Sequence, residues 1–138
     1  MASAFNKFQP FIAAVHNKVH NLGSDQLVIA LCAAANAPVA TYSTLSQITQ
    51  IAYTNLSSRN VTTTSSTQSS GLYKLVCQDL TLTASGAVAT FRYVVLYNDT
   101  ATNDELIAWW DYGSDVTLAN TETFTVDLDQ ANGVFSNT

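Results

Sequence analysis

His16 and His20 stand four residues apart, the spacing that puts two imidazoles on one face of a helix and can hold a divalent metal. A hydrolytic zinc helix carries a glutamate directly after its first histidine, and Asn17 and Lys18 occupy that turn here. No third histidine exists to complete a ligand set, so the pair reads as helix surface and no metal is expected. A serine or cysteine nucleophile would need an imidazole base oriented by a carboxylate, and no Gly-x-Ser-x-Gly turn presents one. Carboxylates crowd the end of the chain at Asp99, Asp104, Glu105, Asp111, Asp115, Asp127 and Asp129. The stretch from Asp99 to Glu105 lacks the alternating ligand rhythm of a calcium loop and reads as a solvated hairpin. Neither a phosphate-cradling glycine loop nor a dinucleotide fingerprint occurs. Together these features predict a non-enzymatic protein with no catalytic residue and no cofactor.

Aromatic side chains are the residues left with something to do. Phe5 and Phe8 precede Pro10 in an N-terminal arm, and Trp109 and Trp110 are adjacent. Neighbouring side chains on a strand point to opposite faces, so the two tryptophans cannot enter one core layer and one of them faces outward. Either the N-terminal helix covers that outer face, or another protein chain does. Phe5, Phe8, Trp109 and Trp110 are therefore the candidate partner-binding residues. Tryptophans beside carboxylates would also suit a sugar ring, which keeps a small carbohydrate-binding or carbohydrate-active protein open as an alternative.

The elements that position these residues follow from periodicity. Phe5, Phe8, Ile12, Val15, Val19 and Leu22 recur at three and four, an amphipathic stripe, and Pro10 fits a first turn. A helix is expected over about 10–21, stopped by Gly23. Beyond it the pattern breaks into short β-prone runs at about 26–32, 60–66, 72–83, 88–97, 105–112, 115–118 and 122–128. Residues 44–51 could form a short helix or an irregular crossing, and 62–70 a hydroxyl-rich edge strand or loop. The fold predicted is mainly β, a jelly-roll-like antiparallel β-sandwich with one N-terminal α-helix, forming one domain over 1–138.

Composition sets the surface chemistry. Charged residues are only 11% of 138, while 13 serines and 18 threonines leave hydroxyls to make most of the polar surface. The net charge of -5 offers no footprint for a phosphate backbone, so no nucleic-acid partner is expected. The longest apolar run, 27–35, is far shorter than the roughly 20 residues of a spanning helix, and no membrane partner is expected. The first ten residues lack the apolar core and cleavage site of a secretory signal. Cys32 and Cys77 read as two reduced core thiols.

Several stretches carry a resemblance. Phe5-Asn-Lys-Phe-Gln-Pro-Phe11 opens the helix, His20-Asn-Leu-Gly-Ser-Asp25 leads into Leu-Val-Ile-Ala-Leu, and Ile51-Ala-Tyr53 precedes a Thr/Ser-rich strand. Phe91-Arg-Tyr-Val-Val-Leu-Tyr-Asn-Asp-Thr-Ala-Thr-Asn-Asp104, Trp110-Asp-Tyr-Gly-Ser114 and Phe124-Thr-Val-Asp127 follow. In these the chain resembles a family of small virion proteins encoded by tailed bacteriophages near their head genes. Such proteins are similar to capsid cement or decoration proteins. The resemblance implies a virion location on the capsid surface, with the major capsid protein and copies of itself, as a dimer or trimer, for partners. A tail or host-receptor-binding role is the alternative within the virion. The low charge implies that the partner is held by aromatic and aliphatic burial, with little dependence on salt.

Overall fold

Leu27-Val-Ile-Ala-Leu-Cys32 contains no polar residue, and a strand of that composition must be covered on both faces. The computed structural model, which describes residues 3–137, places all six side chains out of solvent. The chain order is β1 (Asn6–Lys7), α1 (Pro10–His16), β2 (Leu27–Cys32), β3 (Asn60–Val61), β4 (Thr63–Ser69), β5 (Leu72–Cys77), β6 (Leu80–Thr83), β7 (Phe91–Asn98), β8 (Leu106–Val116), β9 (Thr123–Val126) and β10 (Phe135–Asn137). The fold is mainly β, all pairings between these strands are antiparallel, and the single α-helix is N-terminal, as the sequence predicts.

One layer is a five-stranded sheet ordered β1-β8-β7-β2-β3. The opposite layer is built from two smaller sheets, β10-β5-β4 and β6-β9. These two are almost continuous, because Leu75 faces Phe135 and Leu80 faces Val126, so the interrupted β5–β6 run lies antiparallel to the interrupted β9–β10 run. The main core lies between the layers. Leu27, Ile29 and Leu31 enter it from β2, Val94 and Leu96 from β7, and Leu75, Leu82 and Val126 from the opposite layer.

A second, smaller cluster covers the other face of the large sheet, where Val28, Ala30, Cys32 and Val95 meet Phe8, Tyr42, Leu45 and Ile48. The cover is thus the crossing segment 33–51, with short 3-10 turns at Ala34–Asn36 and Leu45–Gln47, and not the helix. Helix α1 is too short for that task, and it turns Phe11 and Val15 into the main core instead. It ends at His16, about five residues before the expected end near residue 21. The terminator is a Schellman turn: the Val19 N–H reaches the Ala14 carbonyl at 2.9 Å and the Lys18 N–H the Val15 carbonyl at 3.3 Å. Lys18 sits at φ 65 in the position usually given to glycine, which is why Gly23 marks the wrong place.

Other differences are local. The runs at 105–112 and 115–118 form one strand, β8, whose far half bulges against β7 and turns through Gly113 at φ 93. The run at 72–83 is broken after Cys77. Cys32 and Cys77 are free, buried thiols, one in each core cluster.

Candidate functional site

The arm that carries Phe5 and Phe8 is pinned by β1, which adds Asn6 and Lys7 to β8 opposite Trp109 and Ala108. Alternation along an extended chain would send Phe5 and Lys7 one way and Asn6 and Phe8 the other. Phe8 is fully buried, its ring 4.6 Å from that of Trp109, in the cluster on the outer face of the large sheet. Its backbone N–H bonds the Ile107 carbonyl at 3.1 Å. Phe8 therefore has no surface left to offer a partner, and its place among the candidate anchors is corrected to a core residue. Trp109, half-buried beside it, serves the same cluster. Trp110 faces the main core, so the adjacent tryptophans do take opposite faces.

Phe5 remains 36% exposed. It stands edge-on to Trp110 at 5.8 Å and stacks on Phe135 of β10 at 6.1 Å, bridging the two layers where the sandwich is open. Two grooves meet at it. The first, about 440 Å³, has Phe5, Trp110, Tyr112 and Phe124 for walls and Asp127 and Asp129 on its lining. Tyr112 and Phe124 pack edge to face at 5.3 Å. No lysine, arginine or histidine lines it. The second, about 960 Å³, runs between α1 and the β10 side, floored by Phe11, Leu22, Tyr73 and Phe135. Lys7, His16, Lys18 and His20 all line this one, and among the described residues no carboxylate does.

The charges at the acidic groove are held in place. Asp129 accepts from the Asn132 backbone N–H at 3.0 Å and from its side-chain amide, and these bonds keep its carboxyl below the usual carboxylate range, with a smaller contribution from nearby Lys74. Asp127 accepts the Asp129 N–H at 2.9 Å through one oxygen.

Behind the basic groove lies a polar knot that sequence reasoning missed. Asn98, at the end of β7, is completely buried and uses all of its hydrogen-bonding capacity. Its amide donates to Asp25 Oδ2 at 2.6 Å and to His20 Nδ1 at 3.0 Å, and its oxygen accepts from the Thr100 and Ala101 N–H groups at 2.9 and 3.1 Å. His20 is consequently not a helix-surface residue. It lies beyond the end of α1, its ring 5.1 Å from Phe11, with Nε2 buried and unpartnered. Because Nδ1 is the acceptor, Nε2 carries the proton. Burial pushes the His20 pKa down, against the opposing pull of Glu105 and Asp25. An asparagine ending a strand of large apolar residues is the one sequence signal that could have pointed here.

His16 is exposed on the last turn of α1, so the two histidines do not share a helical register. Among the described residues no group of three histidine, cysteine or acidic side chains could hold a metal ion. Two of the remaining late carboxylates have local tasks: Asp111 pairs with Arg92 through two bonds of 2.9 and 3.2 Å, and Glu105 caps the 99–104 loop through Asn103. Comparison with protein-family models, curated proteins and solved structures finds no match for the chain.

Proposed function

We propose that this chain is a non-enzymatic virion structural protein of a tailed bacteriophage, a capsid cement protein that binds and stabilises the major capsid protein lattice. The observation that carries the reading is the open side of the sandwich. Phe5, Ile12 and Tyr112, three of the five most exposed large apolar side chains among the described residues, line the two grooves that meet there. Contiguous exposed apolar surface of this kind marks association. The resemblance supplies the partner class, and the stretch that carries it most clearly, residues 91–104, forms β7 and the Asn98 knot and pairs with the strand that carries Trp110. The anchors are Phe5 and Trp110, with Phe8 and Trp109 behind them as support.

The experiment is occupancy on particles stripped of the protein, alongside thermal stability of each variant in isolation. Phe5→Ala and Trp110→Ala are expected to lose occupancy beyond what their loss of stability accounts for, because central aromatic anchors typically cost about 2 kcal/mol or more on truncation. Occupancy that tracks fold stability alone, with wild-type protein stripped by 1 M salt, overturns the aromatic-anchor reading. A chain found at the tail, or nowhere in the purified particle, overturns the capsid assignment.

A glycan-binding reading has one specific observation in its favour: Trp110, Tyr112 and Phe124 stand beside Asp127 in a groove of about 440 Å³. Aromatic faces with neighbouring carboxylates suit sugar rings and hydroxyls. A glycan array answers it directly.

A further inference from the structure

Residues 17–26 run from the end of α1 to β2 with no helix or strand of their own, and Leu22 alone among them is buried. Internal bonds shape the turn: the Ser24 and Asp25 N–H groups reach the Asn21 carbonyl at 3.0 and 2.8 Å, and the Asn21 N–H reaches Asp25 Oδ2 at 2.7 Å. Among the described residues, the hydrogen bonds that tie 20–25 to the sheets all run to one side chain, the Asn98 amide, which donates to His20 Nδ1 and to Asp25 Oδ2. The segment's ends are natural hinges. Lys18 already holds a left-handed φ of 65, and Gln26 is fastened to the 98–101 loop, its N–H on Thr100 Oγ1 at 2.8 Å and its carbonyl taking the Asp99 N–H at 2.9 Å.

This attachment works for one protonation state of His20. An imidazolium carries a proton on both nitrogens, so Nδ1–H would face the Asn98 N–H across 3.0 Å, donor against donor. Asn98 cannot turn its oxygen to meet the new proton without dropping the Thr100 and Ala101 N–H groups. Nε2 offers no relief, because it is buried without a partner and leaves the cation unsolvated.

We propose that His20 locks the 17–26 connection shut, and that protonation of its Nδ1 frees it from Asn98 and lets the connection swing out from a sandwich that stays folded. Release uncovers Leu22 and the side of Phe11 against which the His20 ring lies at 5.1 Å. Of the charges around the ring, Asp25 on the same connection and Glu105 just before β8 favour the proton, and burial outweighs them. His16 on α1, Lys18 and Lys7 of β1 line the groove beside it, together with Tyr73 of β5, which burial keeps neutral. The closed form therefore holds the ring below its ordinary 6.5, a value that water restores in the open form. The proton binds the open form better. Closure is complete above pH 6.5, and opening grows by up to about tenfold per pH unit below it, until the closed-form pKa is reached. The inference does not draw on the capsid reading.

The test is hydrogen exchange by mass spectrometry on the full chain at pH 7.5, 6.5 and 5.5, each rate divided by that of the unstructured chain at the same pH. The Ser24, Asp25, Thr100 and Ala101 amides are expected to lose protection by up to about tenfold between pH 6.5 and 5.5. At pH 5.5 they should also be less protected than the β2 and β7 amides by about tenfold or more, the mark of a local opening. His20→Asn keeps an acceptor toward Asn98 and should abolish the acid step, whereas His16→Asn, on the exposed last turn of α1, should retain it. Equal protection in connection and core would show that the connection opens only with the whole fold and would overturn the proposal. So would a connection unprotected at pH 7.5, an unchanged protection at pH 5.5, or an acid step that survives His20→Asn. Proton NMR titration of the wild-type His20 ring decides the matter even if that variant does not fold: a ring titrating at 6.5 or above overturns the lock.

Discussion

Replacing Asn98 by alanine removes one side chain and unsatisfies four groups at once. The Thr100 and Ala101 N–H groups lose their acceptor, His20 Nδ1 loses its donor, and Asp25 keeps only the Asn21 N–H at 2.7 Å. A neutral hydrogen bond contributes about 0.5–1.5 kcal/mol net and one to a charged group about 1.5–3. The three neutral bonds and the one to Asp25 would then total on the order of 3–7.5 kcal/mol. Thr100 is exposed and Asp25 only half-buried, so water replaces part of the loss and the low end applies. The expected cost of Asn98→Ala is about 3 kcal/mol, or roughly a 10 °C drop in melting temperature for a domain of this size. Urea unfolding followed by tryptophan fluorescence measures it. Asn98→Asp is the diagnostic partner. Its ionised carboxylate could still accept from Thr100 and Ala101 but would face Asp25 where the amide donated at 2.6 Å. Near neutral pH it should be at least as damaging as alanine, and its deficit should shrink on acidification, when a protonated acid at that position donates to Asp25 again. An alanine variant within about 1 kcal/mol of wild type, or an aspartate variant with a pH-independent deficit, would refute the claim that this knot fastens the helix–β2 connection to the β7–β8 loop.

Three further outcomes follow from the same geometry. His20 is held below its ordinary 6.5 by burial, so its neutral form is the one the fold favours. Stability is then complete above pH 6.5 and falls as the pH drops toward the folded-state pKa, and His20→Asn, which keeps an acceptor near the Nδ1 position, should flatten the profile between pH 7.5 and pH 5.5 in urea melts. Burial raises the Cys32 thiol to about 11 and shifts Cys77 in the same direction. Both should resist a thiol reagent at pH 8 in the native protein and react at once in denaturant; a fast native reaction at either refutes the buried-thiol assignment. Phe8→Ala should cost about 3–5 kcal/mol as a cavity in the second cluster, and Phe5→Ala distinctly less, a ranking that thermal melts decide.

The strands were legible wherever apolar residues run without interruption, since Leu27–Cys32 and Phe91–Asn98 have one way to hide both faces. The strands the sequence did not reveal, β1 and β10, are two and three residues long and owe their form to pairing with β8 and β5 rather than to local propensity. Helix α1 ended early because a lysine adopted the left-handed conformation that the usual signal assigns to glycine. The 33–51 crossing has no period of its own, so nothing in it announced that Tyr42, Leu45 and Ile48 would roof the large sheet.

The candidate anchors show why a site on one side of a sandwich is harder to read than its strands. Phe5 and Phe8 lie three apart and look equivalent on a helical stripe, where both would face the same way. The pairing of Asn6 and Lys7 with β8 makes the arm extended, and an extended chain sends residues three apart to opposite sides. One ring therefore fills the second core cluster, and the other is left between the layers with a third of its surface in water. The same arm puts Lys7 on the lining of one groove with Lys18 and His16, residues that share no sequence motif. The lining of each groove is thus a product of topology. It is invisible in a composition of -5 overall, where acidic and basic residues average out along the chain, and it appears only once two sheet edges and one short helix frame a common opening.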